Sequence, residues 1–482
     1  MTAPRRIVII GGGLAGMAAA VQLIDTPLPF PCEIQLLEAK RQLGGRAGSF
    51  VDRGTSEAID HCQHVAMGCC DQFLNYCQRT ATTNLWQRHS TLHFFGVDGR
   101  RHDLAATPGL PAPLHLATSL LRMSYLSWRS RWEVCRGLGA LWRLRPGAKP
   151  NEPDLGTWLR AQGQSEEAIE RFWSVTVVSA LSETVERTSL AVARKLFVDG
   201  FMRRRDGYQV LTPRVALSQW HQQVADWLRA RGVEIRLSTE VQRLEADMAS
   251  RSSAIPPPTQ VSQPASTHAF TPASTHAPSF AQRPRITQVW CANQTAPLPV
   301  DAVISAVPWY RVSDLVDASW REKVTGGSAH ESWESGAIAS LHLWFDRPLT
   351  ELPHAVFIGR RMQWIFAGSD HHHYQVVISA AHALVEEGRE QLKEAVLREL
   401  HEVWPAARTA QLVRWRMLLE PQAVFAPRPG HDLVRPAART GFANLWLAGD
   451  WTATGWPATM ESAIRSGYEA ATESLAECRA AR

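Results

Sequence analysis

Residues 7–16 read Ile-Val-Ile-Ile-Gly-Gly-Gly-Leu-Ala-Gly, an apolar run followed by a glycine-rich segment. The run Ile7–Ile10 is apolar and β-branched, which predicts a short buried parallel strand. The glycines predict a tight turn into a helix: Gly11 permits the turn, Gly13 lets the backbone approach a pyrophosphate, and Gly16 lets the helix pack closely on the strand. Phosphates would then lie over the N–H groups of the first helical turn.

A second strand is predicted at Ile34–Leu37, and it ends at Glu38 with Ala39 beside it. Glu38 stands where a dinucleotide-binding unit needs a carboxylate to accept from a ribose 2′-hydroxyl. Strand, glycine turn, helix and acid in this order predict a dinucleotide-binding α/β unit. The alternative is a glycine turn that serves packing alone.

Length and composition predict a globular chain of two or more structural units. It has 482 residues, of which 45% are hydrophobic and 20% charged, and this excludes global disorder. Arginine supplies nearly all of the positive charge behind the net +5. The short apolar run before the first glycines predicts no signal peptide, and therefore reduced cysteines and a cytoplasmic origin.

Two further segments identify the dinucleotide. Leu43–Ser49 reads Leu-Gly-Gly-Arg-Ala-Gly-Ser, and Leu445–Thr452 reads Leu-Trp-Leu-Ala-Gly-Asp-Trp-Thr, followed by a predicted helix from Thr459. With these motifs the sequence resembles the flavin amine oxidase and phytoene desaturase superfamily. The resemblance implies an α/β fold in which a Rossmann-type FAD-binding domain is interleaved with an α+β substrate domain. The residues that it assigns to FAD are Gly11, Gly13, Leu14, Ala15, Gly16, Glu38, Ala39, Gly44, Gly45, Arg46, Gln63, His64, Val241, Gly449, Asp450, Thr459 and Met460.

The residue types suit these roles. Arg46 offers a fork of donors to a pyrophosphate. Asp450 is placed to accept from a ribityl hydroxyl, although a helix-capping role is the alternative. The helix from Thr459 would direct its positive end at the flavin N1/O2 edge, with a backbone N–H at Met460. In the resembling family the residue at the Val241 position binds adenine through its backbone.

The resemblance implies an FAD-binding domain of residues 1–90, 206–310 and 430–482, and a substrate domain of residues 91–205 and 311–429. Residues 249–285 are rich in Ser, Pro, Thr and Ala and predict a disordered insertion. No second glycine motif follows a strand, so no dedicated nicotinamide domain is predicted. NADPH is a candidate electron donor that would have to reach the flavin from the substrate side.

Residues 104–145 are a candidate membrane-contact segment. A proline-broken uncharged stretch precedes a helix in which arginines alternate with Trp128, Trp132 and Trp142. Arginines near anionic headgroups and indoles at the boundary suit a helix lying in a membrane interface. The alternatives are nucleic-acid binding, which no recognisable module supports, and an ordinary helix whose stripe is core. We expect a protein that is peripheral on the inner face of the membrane and does not bind nucleic acid.

The stretch Asp60–Cys70 reads Asp-His-Cys-Gln-His-Val-Ala-Met-Gly-Cys-Cys and resembles a segment of the hydroxysqualene dehydroxylases. Cys62 and Ser462 depart from their pattern by standing where glycine is commoner. The resemblance implies reductive removal of the hydroxyl of hydroxysqualene, giving squalene for hopanoid-type lipids. The alternatives are a carotenoid-type desaturase or isomerase, an amine oxidase, and a membrane-bound scaffold that hands squalene intermediates to partner enzymes of the pathway.

The same stretch holds candidate catalytic residues and residue types that bind metals elsewhere. His64 is the candidate proton donor, with Asp60 orienting it, and a structural hydrogen bond near the flavin is the alternative. A metal site would need converging ligands and a second cluster elsewhere, so none is predicted. Cys69 and Cys70 are expected to be small helix residues beneath the cofactor. Aromatic faces for a cationic intermediate are expected among Trp309, Trp344, Trp364, Trp451 and Trp456.

Overall fold

The structure is a computed structural model that describes residues 4–27, 31–52, 54–248, 283–327, 333–385 and 388–480. Its strands are β1 (Arg5–Ile10), β2 (Cys32–Leu37), β3 (Ser49–Val51), β4 (Ala58–Asp60), β5 (Ala66–Met67), β6 (Trp86–His89), β7 (Thr91–Phe95), β8 (Arg101–Ala105), β9 (Val210–Pro213), β10 (Glu234–Arg236), β11 (Val241–Asp247), β12 (Arg285–Cys291), β13 (Leu298–Pro299), β14 (Ala302–Ser305), β15 (Ser335–Phe345), β16 (His354–Phe357), β17 (Trp364–Ala367), β18 (His373–Ser379), β19 (Leu412–Phe425) and β20 (Leu445–Leu447). Its α-helices are α1 (Leu14–Asp25), α2 (Asp71–Arg79), α3 (Ala117–Arg122), α4 (Trp128–Arg143), α5 (Leu155–Ala161), α6 (Glu166–Ala168), α7 (Val175–Leu181), α8 (Leu190–Arg194), α9 (Leu217–Arg229), α10 (Trp309–Val312), α11 (Arg321–Thr325), α12 (Arg389–Val403), α13 (His431–Val434) and α14 (Met460–Ala480). Wider π-type turns at Ile169–Ser174 and Lys195–Met202 join α6 to α7 and extend α8.

A five-stranded parallel sheet carries the glycine turn. Its strand order is β10-β2-β1-β14-β20, so β1 lies at the centre between β2 and β14. Helices α1 and α14 pack against each other beside it. A parallel sheet covered on its faces needs apolar strands, which explains why Ile7–Ile10 is buried and free of polar residues. The α/β fold class with a Rossmann-type unit is confirmed.

A second, seven-stranded sheet forms the other half of the molecule. Its order is β19-β15-β18-β17-β16-β7-β8, and every neighbouring pair is antiparallel except β16 with β7. Alternating residues on β15, such as Leu341 and Leu343, are buried in a core completed by α12. The opposite face of this sheet looks toward the cavities described below.

The predicted strands Ile7–Ile10 and Ile34–Leu37 and the helix between them are confirmed within a few residues as β1, β2 and α1. Helix α9 leads into β10 and β11, and β10 joins the edge of the parallel sheet beside β2. The strand pair after the Gly-Gly-Arg turn is β3 with β4. The predicted insertion 249–285 lies outside the described residues except for 283–285, and β12 already begins at Arg285.

Helix α4 exposes its tryptophan stripe. Trp128 is 71% exposed and Trp132 is 70% exposed, whereas Val134 and Leu141 on the opposite face are fully buried. The interpretation of the stripe as core is therefore wrong. In the ranges that the structure describes, no helix combines the length and the apolar character that crossing a membrane requires.

Candidate functional site

A cavity of about 480 Å³, here called the glycine cavity, opens at the carboxyl ends of the parallel strands. This is the edge at which open α/β sheets bind their ligands. Most of the residues assigned to FAD line it: Gly11, Gly13, Leu14, Ala15, Glu38, Ala39, Gly44, Gly45, Arg46, His64, Val241, Gly449, Asp450, Thr459 and Met460. The chain therefore brings segments from both ends of the sequence to one site.

Three of the four glycines of the turn, Gly11, Gly13 and Gly16, have different surroundings. Gly11 has a φ of +104°, and a Cβ there would lie 2.8 Å from the carbonyl oxygen of Ala306. A Cβ on Gly16 would lie 1.9 Å from the carbonyl oxygen of Gly11, so Gly16 packs the helix and does not line the cavity. A Cβ on Gly13 would meet nothing closer than Gly45 Cα at 3.9 Å. The space over Gly13 is thus open to a ligand.

The start of α1 fits a phosphate group. Gly13 caps the helix without a side-chain hydrogen bond, and the first turn carries no acid. The first N–H groups of a helix and its dipole favour a negative charge. Because no side chain of the helix itself supplies that charge, the pyrophosphate of a dinucleotide fits this position.

Glu38 lies at the end of β2 on the wall of the same cavity. Its carboxylate accepts hydrogen bonds from the N–H groups of Gly12 (2.7 Å) and Lys40 (2.8 Å). These two bonds fix the side chain, and a carboxylate retains further acceptor positions for ribose hydroxyls. Val241, at the start of β11, lines the cavity on the same side.

Arg46 and Asp450 form an ion pair across the cavity. Arg46 also donates to the carbonyl oxygen of Ala423, at 3.2 Å. Burial disfavours the charged guanidinium, but the charge of Asp450 and its hydrogen bond outweigh burial, so the pKa of Arg46 lies above its usual range. Arg46, which was assigned to the pyrophosphate, and Asp450, which was assigned to the ribityl chain, therefore hold each other in place. Both still line the cavity.

The start of α14 faces the same cavity. The helix begins at Met460, and Thr459 Oγ1 accepts from the N–H of Ser462 in its first turn at 3.4 Å. Gly449 has a φ of +149°, and a Cβ there would lie 2.3 Å from Trp451 Nε1. The two ends of the segment, Gly449–Trp451 and Ala458–Met460, line the cavity.

Two positioning residues were missed at sequence level. Buried Arg435 donates to the carbonyl oxygens of Trp456 (2.8 Å) and Trp451 (3.3 Å), which holds the loop before α14. Buried His221 donates from Nε2 to the carbonyl oxygen of Ala47 (2.6 Å), which holds the Gly-Gly-Arg turn. No local motif marks either residue, because each acts across a long sequence separation. Tyr310 and Arg311 also line the cavity, and their position just after β14 at the sheet edge was a usable signal.

The predicted pairing of Asp60 with His64 is not formed. Asp60 Oδ1 accepts from Ser49 Oγ (2.6 Å) and from the N–H of Leu217 (2.9 Å). His64 lines the glycine cavity, and its Nδ1 donates to the carbonyl oxygen of Cys62 (2.9 Å). Burial, together with the nearby charge of Arg46, lowers the pKa of His64, so its neutral form with a free Nε2 is favoured. Asp60 therefore does not orient His64.

A second cavity of about 400 Å³, here called the apolar cavity, lies between the seven-stranded sheet and the helices. Gln63 lines this cavity and not the glycine cavity, whereas the adjacent His64 lines the glycine cavity. The wall of the apolar cavity is otherwise mostly aliphatic and aromatic. Of the five tryptophans proposed as aromatic faces, Trp364 is the one that lines this cavity. The apolar wall residues include Val65, Met67, Leu92, Phe94, Leu104, Leu114, Leu120, Leu138, Phe172, Phe197, Phe201, Val356, Phe366 and Val377.

A third cavity of about 1310 Å³, here called the polar cavity, adjoins the apolar one. Gln63 and Phe366 line both, and Asp60 lines the polar cavity alone. Burial raises the pKa of Asp60 to about 6. His342 Nε2 donates to the main-chain oxygen of Asp60 (3.1 Å), and His373 Nε2 lies 3.0 Å from His342 Nδ1. These histidines were not predicted as site residues.

Cys69 and Cys70 do not take the positions predicted for them. Cys69 and Cys70 precede α2 instead of lying within a helix, with Cys70 at its N-cap, and neither lines the glycine cavity. Burial raises the pKa of Cys62 to about 12. Across the described ranges, no group of three His, Cys, Asp or Glu side chains is arranged to hold a metal ion.

The parallel sheet, its glycine turn, the fixed acid at the end of β2 and the open helix start define a dinucleotide-binding protein of the Rossmann class. The model of the family described as "Flavin containing amine oxidoreductase" matches residues 14–254 and 279–475. The chain belongs to this family, and it is an FAD-dependent oxidoreductase.

Individual relatives extend over the whole chain. A hydroxysqualene dehydroxylase of Sinorhizobium fredii is 25% identical, covering 98% of this chain and 99% of its own. A zeta-carotene desaturase of Synechocystis is 22% identical, covering 98% and 97%. Among solved structures, an oxidoreductase from Methanosarcina mazei matches with a TM-score of 0.67 at 14% identity, covering 97% of this chain and 100% of that one, which shows the shared fold.

Proposed function

We propose that the chain reductively removes the hydroxyl group of hydroxysqualene to give squalene. The observation that carries this proposal is the junction at Gln63 and His64. These neighbours line the apolar cavity and the glycine cavity respectively, so a hydrocarbon in the first lies next to a cofactor in the second. The full-length similarity to hydroxysqualene dehydroxylases supports the same reaction.

The residues assigned to FAD have complementary tasks in this proposal. The start of α1 receives the pyrophosphate, Glu38 holds a ribose, and the start of α14 approaches the flavin ring. Reduced FAD, when bound, supplies a hydride. NADPH is the proposed source of its electrons. Arg46 and Asp450 hold each other and remain available to the phosphate and ribityl groups from the cavity wall.

The apolar cavity has the properties that the substrate needs. Loss of an allylic hydroxyl leaves a delocalised cation, which the faces of aromatic rings stabilise. Trp364 and Phe366 stack on each other, with ring centroids 5.3 Å apart, on its sheet wall. The surrounding aliphatic side chains exclude water, which protects the cation from recapture.

The proton that the departing hydroxyl takes up needs a source. His64 remains a candidate donor because it lines the glycine cavity. Its lowered pKa means that it must first gain a proton at its free Nε2. The proposed activity through His64 would therefore rise as pH falls, since a larger fraction of the imidazole is then protonated.

A carotenoid-type desaturase or isomerase is the second candidate. The similarity to zeta-carotene desaturases favours it, and an apolar cavity beside a flavin also suits a polyene. The two reactions differ in the direction of hydride transfer. Desaturation takes a hydride from the substrate and leaves the flavin reduced, whereas dehydroxylation oxidises a reduced flavin.

Purified protein loaded with FAD is reduced anaerobically with NADPH or dithionite and mixed with hydroxysqualene, and the lipid extract is analysed. Squalene formation together with return of the oxidised-flavin absorbance supports dehydroxylation. Phytoene offered to the oxidised enzyme is the parallel assay, and conjugated products there favour desaturation. If neither substrate is turned over, the proposed reaction is wrong.

We also propose that the protein is peripheral on the anionic inner face of a membrane, near other enzymes of the squalene pathway. Helix α4 would be the element that contacts the membrane. Trp128 and Trp132 project from it, with Arg129 and Arg136 exposed alongside. Exposed indoles and arginines suit the headgroup boundary of an anionic bilayer. Cys135, Leu138 and Gly139 of the same helix line the apolar cavity.

The double substitution Trp128→Ser with Trp132→Ser tests this docking. We expect the variant to lose sedimentation with vesicles that contain phosphatidylglycerol, because it loses the exposed indoles. Met248→Ser is the control, since Met248 is 59% exposed but directly follows β11 and is not part of α4. Equal sedimentation of the double variant and the control would contradict the proposal.

A further inference from the structure

The polar cavity has no role in the binding of a hydrocarbon or of FAD as proposed above. It is the largest of the three cavities, at about 1310 Å³. It contacts the apolar cavity at Gln63 and Phe366, so the two spaces meet beside the proposed reaction centre. Its wall carries polar side chains beside apolar ones, and a space of this size with polar groups on its wall has room for water.

One face of the seven-stranded sheet changes from polar to apolar at this junction. Residues on one face of a strand alternate along the sequence. On β18 the residues of that face are His373 and Gln375, which line the polar cavity, and then Val377, which lines the apolar cavity. This face of the sheet is therefore polar beside the polar cavity and apolar beside the apolar cavity.

Asp60 is the acid nearest in sequence to the junction residue Gln63. Its Oδ1 accepts both of its hydrogen bonds, from Ser49 and Leu217, which leaves Oδ2 for a proton. His342 donates to its main-chain oxygen at 3.1 Å and fixes the segment from the sheet side. The geometry holds one carboxyl group in place on the wall of the polar cavity.

The protonation states agree with this geometry. Burial raises the pKa of Asp60 to about 6, whereas burial lowers the pKa of His342 to about 3 and that of His373 to about 4. Asp60 therefore exchanges a proton close to neutral pH while these two histidines stay neutral. The other titratable or charged groups on the cavity wall are Glu57, His89, Arg214, Asp370, His371 and Arg414.

We propose that the polar cavity is a proton-uptake and water-release chamber for the flavin site, in which Asp60 holds the incoming proton and Gln63 forms the passage to the apolar cavity. This inference rests on the proposed dehydroxylation. In that reaction the C–O bond breaks, and the oxygen leaves as water with one proton from the chamber. The carbon gains a hydride and forms a C–H bond, so the flavin loses two electrons, which a reduced nicotinamide dinucleotide restores. Asp60 acts through Gln63 and water, so it is a positioning residue for the proton.

The substitutions Asp60→Asn and Gln63→Leu test the chamber. In Asp60→Asn the amide oxygen retains both hydrogen bonds but the side chain no longer exchanges a proton, and in Gln63→Leu an apolar group closes the passage. We expect the rate at which hydroxysqualene reoxidises dithionite-reduced holoenzyme to fall on the order of 10²-fold in Asp60→Asn. In the wild type this rate should decline as pH rises above about 6, and in Asp60→Asn the inflection near pH 6 should be lost, which leaves only the dependence that comes from His64.

Infrared spectroscopy gives a readout that does not depend on turnover. A carboxylic acid band that titrates near pH 6 in wild-type holoenzyme and is missing in Asp60→Asn supports the proton site. Gln222→Leu is the control for Gln63→Leu, because Gln222 is exposed on α9 and lines none of the three cavities. Flavin content and the melting temperature show that each variant is folded.

The outcomes separate the two proposals. Wild-type turnover with unchanged rates and pH profiles in both variants overturns the chamber. If the wild type does not turn over hydroxysqualene, the proposed function fails and the infrared titration decides on Asp60 alone: absence of the titrating band overturns its role, and presence of the band supports it.

Discussion

At the scale of single residues, neighbouring glycines of the same turn have separate physical roles. A Cβ on Gly16 would collide with the carbonyl oxygen of Gly11 at 1.9 Å, whereas a Cβ on Gly13 would enter open space in the glycine cavity. One glycine therefore serves packing and the other serves the ligand. A glycine motif read from sequence does not separate these roles, because both require the same residue.

We predict opposite phenotypes for Gly16→Ala and Gly13→Val. Gly16→Ala should lower the melting temperature of the apoprotein, since backbone must move to relieve the contact, at a cost of about 1–3 kcal/mol. Gly13→Val should leave the apoprotein melting temperature nearly unchanged but reduce flavin content, because its side chain occupies the space of the pyrophosphate. Differential scanning fluorimetry and flavin absorbance measure the two quantities. A Gly13→Val protein that retains full flavin would contradict the assignment.

Buried His354 makes the fold sensitive to acid. It is 1% exposed, its ring packs against His89 and His93, and burial lowers its pKa to about 3. In the unfolded chain its pKa is near 6.5, so the unfolded state binds the proton first, and stability is lost as pH falls below about 6.5. We expect the free energy of unfolding to fall by about 1 kcal/mol for each pH unit below that value because of this residue.

The substitution His354→Phe isolates this contribution. Phenylalanine keeps the ring beside Trp364 and Phe366 but does not bind a proton. We expect the melting temperature of the wild type to fall more between pH 8 and pH 5 than that of the variant, because only the wild type has a histidine at this position to protonate on unfolding. Parallel pH profiles would show that His354 is not the sensitive group.

At the scale of elements, the contact of α1 with α14 joins the two ends of the chain and sets the site. A Cβ on Gly467 would lie 2.1 Å from the carbonyl oxygen of Ala15, so the helices touch backbone to backbone. Both helices begin at the glycine cavity, α1 at Leu14 and α14 at Met460. If the two helices were pushed apart, their first residues would also move apart at the cavity.

Gly467→Ala should lower both stability and flavin affinity. Gly139→Ala on α4 is the matched control, because it is also a helical glycine and its Cβ would meet nothing closer than Arg143 Nη1 at 3.6 Å. The control should be neutral or slightly stabilising, since alanine is the better helix former. Titration of each apoprotein with FAD, followed by flavin fluorescence, measures the affinity. Equal affinity in Gly467→Ala and wild type would mean that the helix contact does not set the site.

Elements and motifs were predictable from sequence where short-range rules apply. The strand, turn and helix at 7–16, the acid after β2 and the helix start at Met460 each follow from local pattern. The surroundings of Asp60 were not predictable in this way, because two of its partners, Leu217 and His342, lie 157 and 282 residues away along the chain. The exposed stripe of α4 was open to three interpretations, since periodicity shows that a face exists but not what covers it.

At the scale of the whole molecule, the glycine cavity belongs to both sheets. Most of its wall comes from the parallel sheet, but Ala423 and Val424 come from β19 of the seven-stranded sheet. Arg46 bridges the halves by donating to Ala423 while it pairs with Asp450. A dinucleotide in this cavity would contact both halves at once, so its binding should couple them.

We therefore predict that FAD changes how the molecule unfolds. A ligand that binds only the folded state stabilises it by RT ln(1 + [L]/Kd), about 2.7 kcal/mol at a hundredfold excess over Kd. Because the cavity needs both halves in place, that free energy should raise the unfolding temperature of both halves. We expect calorimetry of the apoprotein to show a broad or split transition, and the holoprotein to show one sharper transition at higher temperature. ADP, which lacks the flavin ring, is the control and should shift the transition of the parallel-sheet half alone. An FAD-induced shift confined to one of two separate transitions would mean that the halves are not coupled through this cavity.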